Sequence, residues 1–241
     1  MKAVEEWYSE RTEHPTRLVR WGDFGTPVLL FATAGGDADE IERFGLVDAL
    51  GGLLAAGRIK LYSVDSIAGR SWIQRDDPRH SMWLQGRFDA MVYNEVVPAI
   101  RADCNSDSME IVTAGASIGA FNAVASLCRH PDVFRAAIGM SGTYDLSEWL
   151  HGHWSDDFYF ASPLHWIPDH PEDDALALLR QRFVVLATGQ GRWEDPGESW
   201  QMSHVLGSRG IPNRVDLWSE SHEHDWPTWR EMLPLYLDDL A

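Results

Sequence analysis

Short apolar runs alternate along this chain with longer segments in which apolar side chains return every three or four positions. The runs PVLLFAT (27–33), IKLYSVDS (59–66), MEIVTAG (109–115), AAIGMSG (136–142), RFVVLATG (182–189) and RVDLWSE (214–220) predict strands, most of them buried on both faces. Between them, DADEIERFGLVDALGGLLAAG, QGRFDAMVYNEVVPAIRADC, IGAFNAVASLCRH, ESWQMSHVLGSRG and the terminal PTWREMLPLYLDDL predict helices. Strand alternating with helix implies right-handed crossovers, hence an α/β fold with a mostly parallel central sheet and helices on both faces. Near the start, TRLVRWGDFGTPVLLF reads as two antiparallel strands joined by the turn GDFGTP. One insertion, residues 145 to about 178, interrupts the rhythm, and no linker or repeat divides the chain, so residues 1–241 are expected to form a single domain.

The third parallel strand runs directly into GASIGAFNA, where Ser117 is flanked at two residues' distance by Gly115 and Gly119. In a strand–turn–helix setting, G-x-S-x-G forces the serine into a strained backbone and presents its hydroxyl at the sheet edge, with the glycines admitting the close packing. The helix start then places the Ile118 N–H and the positive end of the helix dipole where an oxyanion would form. An activated serine needs a base and a group to orient it, in the order serine, acid, histidine for this arrangement. Glu194, Asp195 and Glu198 follow the fifth parallel strand and His222 and His224 follow the sixth, each on a loop at the carboxyl end of a strand.

Composition narrows the partners. With 37 acidic against 20 basic residues the net charge is −17, which repels phosphate backbones and anionic membrane surfaces, so neither nucleic acid nor membrane is an expected partner. The N-terminal segment has no apolar leader and no 18-residue apolar run occurs, and Cys104 and Cys128 make no disulfide framework; a cytoplasmic setting is expected. HGH at 151–153 and HEH at 222–224 carry imidazoles on alternate residues, but without an H-E-x-x-H helix no metal is expected, and no P-loop lysine or G-x-G-x-x-G spacing implies a nucleotide. No cofactor is expected.

The elbow GASIGAFNA, the segment GQGRWED and the ending HEHDWPTWREMLPLYL together resemble the putative-esterase branch of the α/β-hydrolases, the group of esterase D (S-formylglutathione hydrolase), feruloyl esterases and mycolyl transferases. The likeness runs from LLFATAGGDADE to the end of the chain. The resemblance implies an α/β-hydrolase fold and a serine hydrolase cleaving carboxylic esters through an acyl-enzyme. It selects His224, the histidine directly before Asp-Trp, as the base over His222. In that branch the acid often lies three residues after a glycine, and counting from Gly191 gives Glu194, with Asp195 as the alternative. Position and resemblance both put a second oxyanion donor in TAGGDADE, at Gly36 or Asp37.

Twelve tryptophans are an unusual number for 241 residues, and Trp149, Trp154 and Trp166 fall within the insertion. In α/β-hydrolases an insertion at this point forms a cap over the serine, so these rings are expected to line a pocket for a small-molecule ester. The alternatives are an acyltransferase using the same triad, or a catalytically inactive binding protein on a hydrolase fold. The chain is also compatible with a homo-oligomer.

Overall fold

Eight strands make one sheet in the order β1-β2-β4-β3-β5-β6-β7-β8 in a computed structural model that describes residues 1–74 and 77–241. The strands are β1 (Lys2–Ser9), β2 (His14–Trp21), β3 (Thr26–Phe31), β4 (Ile59–Val64), β5 (Ile111–Ala116), β6 (Phe134–Met140), β7 (Phe183–Thr188) and β8 (Asn213–Leu217). From β4 through β8 every neighbouring pair is parallel.

The hairpin expected between residues 16–21 and 27–33 does not form. β2 pairs antiparallel with β1 and with β4, and β3 lies beyond β4, paired in parallel with β4 and β5. The physical reason lies in exposure. Val28 to Phe31 are buried on both faces and require two flanking strands, whereas β2 keeps polar positions half open and suits the flank. β1, not anticipated from the sequence, closes that side with Lys2, Glu5 and Glu6 on an edge strand, residues that discourage pairing with another chain.

Alternate residues of the central strands feed two separate cores. Leu29, Phe31, Tyr62 and Val64 face helices Ile67–Gln74, Pro78–Met91, Ile118–Arg129 and Pro196–Ser208, through residues such as Trp72, Phe88, Ala123 and Met202. Val28, Leu30, Ile59 and Leu61 face the other way, onto Ile41, Leu46 and Leu50 and onto Met232, Leu233 and Leu237 of the terminal helix Trp226–Leu240. Helices thus cover both faces, as the alternation of elements requires. The single helix expected over residues 37–57 is three short ones, Glu40–Arg43, Leu46–Ala49 and Gly51–Ala55; Gly45, with a left-handed φ of 73°, separates the first from the second. The helix expected from residue 85 begins earlier, at Pro78, where Asp77 caps it by accepting from the Arg79 N–H.

The insertion forms four short elements, Ser147–Leu150, Asp156–Ala161, Pro163–Trp166 and Asp174–Leu179. The second packs on Pro78–Met91 and the third on Ile118–Arg129 and Pro196–Ser208. This part of the insertion therefore packs along the helical layer on one face of the sheet.

Candidate active site

Between Ile111 and Cys128 every residue is buried except Ser117. It stands between β5 and helix Ile118–Arg129 with φ 57° and ψ −124°, a conformation that L-residues rarely take. Packing imposes it. A Cβ on Gly115 would lie 2.2 Å from the Gly119 carbonyl oxygen, and one on Gly119 would lie 2.5 Å from that of Phe31. The turn is held to β6 by the Ser117 N–H donating to the Met140 carbonyl at 3.0 Å and the Thr143 N–H donating to the Ser117 carbonyl at 3.2 Å. Among the described residues the Ser117 hydroxyl itself makes no hydrogen bond.

Glu194 and His224 meet although they leave different strands. The loop after β8 folds back across the end of β7, where the Gly191 N–H donates to the His222 carbonyl at 3.0 Å and the His224 N–H to the Arg192 carbonyl at 3.1 Å. His224 Nδ1 then lies 3.8 Å from Glu194 Oε2, with the glutamate side chain only 1% exposed. That separation is an ion-pair distance, longer than a hydrogen bond. Oε1 of Glu194 accepts from the Ser141 hydroxyl at 2.6 Å, and the Thr188 hydroxyl lies 3.2 Å from Oε2. Burial pushes the Glu194 carboxyl pKa up, but the interactions with His224 and Ser141 outweigh it and hold the group below its ordinary value. The His224 ring is fixed edge-to-face on Trp229, centroids 5.4 Å apart at 81°.

The other sequence candidates have different employment. Asp195 caps helix Pro196–Ser208 by accepting from the Gly197 N–H at 2.9 Å. His222 places Nδ1 2.8 Å from the Ser219 hydroxyl and Nε2 3.2 Å from Glu231. Glu198 uses one oxygen to accept from the N–H groups of Tyr144 and Asp145, at 2.7 and 2.8 Å. Burial raises the Glu198 pKa, reinforced by Asp145 and Asp195 and only partly offset by those two donors. A carboxyl whose folded-state pKa is raised contributes stability below its unfolded pKa and loses it as pH rises through the folded value. Glu198→Gln retains the single accepting oxygen without the charge. It is expected to raise the melting temperature at neutral pH, with the gain vanishing below about pH 4, where the wild-type carboxyl is itself protonated. Thermal melts across that range check this, and a loss of stability at neutral pH would count against it.

Of the two expected loop donors, Gly36 is corrected by the structure, because its N–H closes a turn onto the Thr33 carbonyl at 3.0 Å. Asp37 pairs through its side chain with Arg43 at 2.7 Å, and its N–H makes no hydrogen bond among the described residues. The N–H groups of Ala34 and Gly35 are equally uncommitted. Ala34 packs close to the elbow residue Ile118. A Cβ on Gly69 would lie 3.1 Å from Ala34 Cα and 3.2 Å from the Ile118 side chain, so those two residues border the same glycine. The loop is shaped by Glu40, which was not anticipated. Its buried carboxylate accepts from the Thr33 N–H at 2.8 Å and hydroxyl at 2.7 Å.

Three tryptophans were expected in the pocket, and they part company. Trp149 borders a cavity of about 410 Å³ with Ser71, Trp72 and His151, and Trp72 lies one helical turn beyond Gly69. Trp154 packs edge-on against Phe158 and His165 and is half exposed. Trp166 is a correction, since it lines a separate cavity beside Arg129, the last residue of the helix that begins after Ser117. At 12 residues that helix carries Arg129 roughly 18 Å from the elbow, toward the opposite edge of the sheet. Among the described residues no three His, Cys, Asp or Glu side chains cluster as a metal site would need, and no helix is long and apolar enough to cross a membrane.

Residues 70–239 match the model of a family described as "Putative esterase". No curated protein matches the chain. Among solved structures, a ferulic acid esterase superposes with a TM-score of 0.78 at 16% identity, over all of this chain and 97% of that one. An S-formylglutathione hydrolase from Agrobacterium tumefaciens superposes at 0.71 with 12% identity, covering 100% and 92%. The fluorophosphonate-binding serine hydrolase F of Staphylococcus aureus does so at 0.66 with 12% identity, covering 100% and 98%. At these identities the likeness establishes the α/β-hydrolase fold.

Proposed function

Since the chain belongs to the esterase family of α/β-hydrolases, we propose that it cleaves carboxylic esters with Ser117 as nucleophile, His224 as general base and Glu194 as the carboxylate that orients the imidazole. Ester hydrolysis follows from the family; the assignment of roles rests chiefly on one observation, that from Ile111 to Cys128 only Ser117 is not buried, and that it is held in a left-handed turn. The Glu194–His224 pair on the loops after β7 and β8 supports it, since the base needs a buried carboxylate on its far nitrogen.

In this reading Ser117 Oγ attacks the ester carbonyl as His224 Nε2 takes the hydroxyl proton, while Glu194 favours the imidazolium that forms. The Ile118 N–H, free of an intrahelical partner at the helix start, and an N–H of the Ala34–Gly35 stretch hold the developing oxyanion. Collapse expels the alkoxide, which leaves as the alcohol with the proton from His224. Water then gives a proton to the same nitrogen and attacks the acyl carbon, and Ser117 departs with that proton as the acid is released. The cavity walled by Trp72 and Trp149 is the proposed seat for an apolar part of a small-molecule ester.

A panel of nitrophenyl esters, together with mass spectrometry of the protein after treatment with a fluorophosphonate, tests the reading. Hydrolysis accompanied by one phosphonyl group on Ser117 is expected. A hydrolysing protein labelled elsewhere, or not at all, would reassign the nucleophile.

A further inference from the structure

We propose that Ser141 is a positioning residue for catalysis, holding Glu194 ionised and aimed at His224 through a hydrogen-bond chain that begins at Trp229; the inference rests on the Ser117–His224–Glu194 reading. Ser141 follows β6 and is 2% exposed, as is fitting for a residue at the centre of the sheet's carboxyl edge. Its backbone is left-handed, with φ 47°, a conformation in which glycine would be unstrained and any other residue is disfavoured. The Ser141 N–H donates to the Ala187 carbonyl of β7 at 2.7 Å and pins that conformation. A side chain is therefore carried where its absence would relieve strain, and what that side chain touches is the candidate acid.

The direction of the chain follows from the chemistry of its members. An indole N–H donates and never accepts, so at 2.9 Å from Trp229 Nε1 the Ser141 oxygen is the acceptor. Its one proton is left for Glu194 Oε1, 2.6 Å away. Glu194 must then accept at that oxygen, which favours its ionised form and fixes the carboxylate plane, leaving Oε2 toward His224. Trp229 is itself 4% exposed, and its ring is the one that backs His224, so one tryptophan sets the imidazole plane and, through Ser141, the carboxylate plane. Among the described residues Ser141 is the hydroxyl that donates to Oε1, while Thr188 lies at the opposite oxygen.

The test compares Ser141→Ala with Ser141→Gly, reading kcat and KM for a nitrophenyl ester and the melting temperature, beside Ser117→Ala. Both Ser141 variants are expected to lose about tenfold or more in kcat, with KM changed by less than about twofold, because a buried donor to a charged group is lost and substrate contacts are not. Glycine relieves the left-handed strain, so Ser141→Gly is expected to melt above Ser141→Ala while being no more active. That separation of stability from turnover is what a merely structural serine would not give. Wild-type kcat in Ser141→Gly, or a loss confined to KM, would overturn the inference. If Ser117→Ala is inactive while Ser141→Gly is fully active, only the role of Ser141 fails; if Ser117→Ala remains active, the triad reading beneath it fails as well.

Discussion

Ser117→Ala is expected to lose at least about a thousandfold in kcat for a nitrophenyl ester while melting within a few degrees of the wild type. The size of the loss follows from the chemistry. Without the hydroxyl no acyl-enzyme forms, and only the oxyanion donors and the pocket remain to speed direct attack by water. The fold is spared because the turn is built by Gly115, Gly119 and the backbone bonds to Met140 and Thr143, none of which involves the serine hydroxyl. Alanine also meets the same backbone strain at φ 57° as serine does, so the substitution neither relieves nor adds to it. Steady-state kinetics on folded protein, verified by circular dichroism, decide the matter, and undiminished turnover would remove the serine mechanism altogether.

Glu194→Gln should cost about a thousandfold to ten-thousandfold in kcat, whereas Asp195→Asn should leave kcat within about twofold. Glutamine is the same size but presents an amide N–H₂ in place of one oxygen. Oxygens on both sides of Glu194 already have partners that need a carboxylate: Ser141 donates to one, and His224 with Thr188 faces the other. Whichever way the amide turns, a donor meets a donor or the imidazole loses the acceptor that fixes its tautomer. Asp195, by contrast, caps a helix through the Gly197 N–H, and asparagine caps helices about as well as aspartate. Kinetics of the two variants side by side check the assignment, and a larger loss in Asp195→Asn would move the acid by one residue.

Much of this was legible in the chain. The six apolar runs mark the parallel strands to within about three residues, and the two glycines around Ser117 announce a turn that admits no side chain beside the serine. Both signals are local. A buried strand must be apolar over its own few residues, and a close backbone approach excludes a Cβ at the position concerned, so each leaves its mark where it acts.

The features that were missed are relations between distant segments. Which strand would lie beside β3 depended on how many neighbours its two buried faces required, and the sheet placed β4 between β3 and β2. Trp166 belongs to the aromatic run of the insertion, yet the insertion descends along the elbow helix and carries it away from the serine. Gly36 has the small side of an oxyanion donor, but its N–H is consumed by a turn that only the folded loop reveals.

By itself the sequence determined an α/β sheet with a serine turn at its carboxyl edge and placed acids and histidines on the loops that could serve it. Only the tertiary structure decided which carboxylate faces which histidine, and that Ser141 and Trp229 stand behind the pair. Ser141 is 53 residues from Glu194 and 88 from Trp229, with no spacing or periodicity to connect them. Their hydrogen bonds exist because three loops close over adjoining strand ends and bury polar groups that must then find partners in one another.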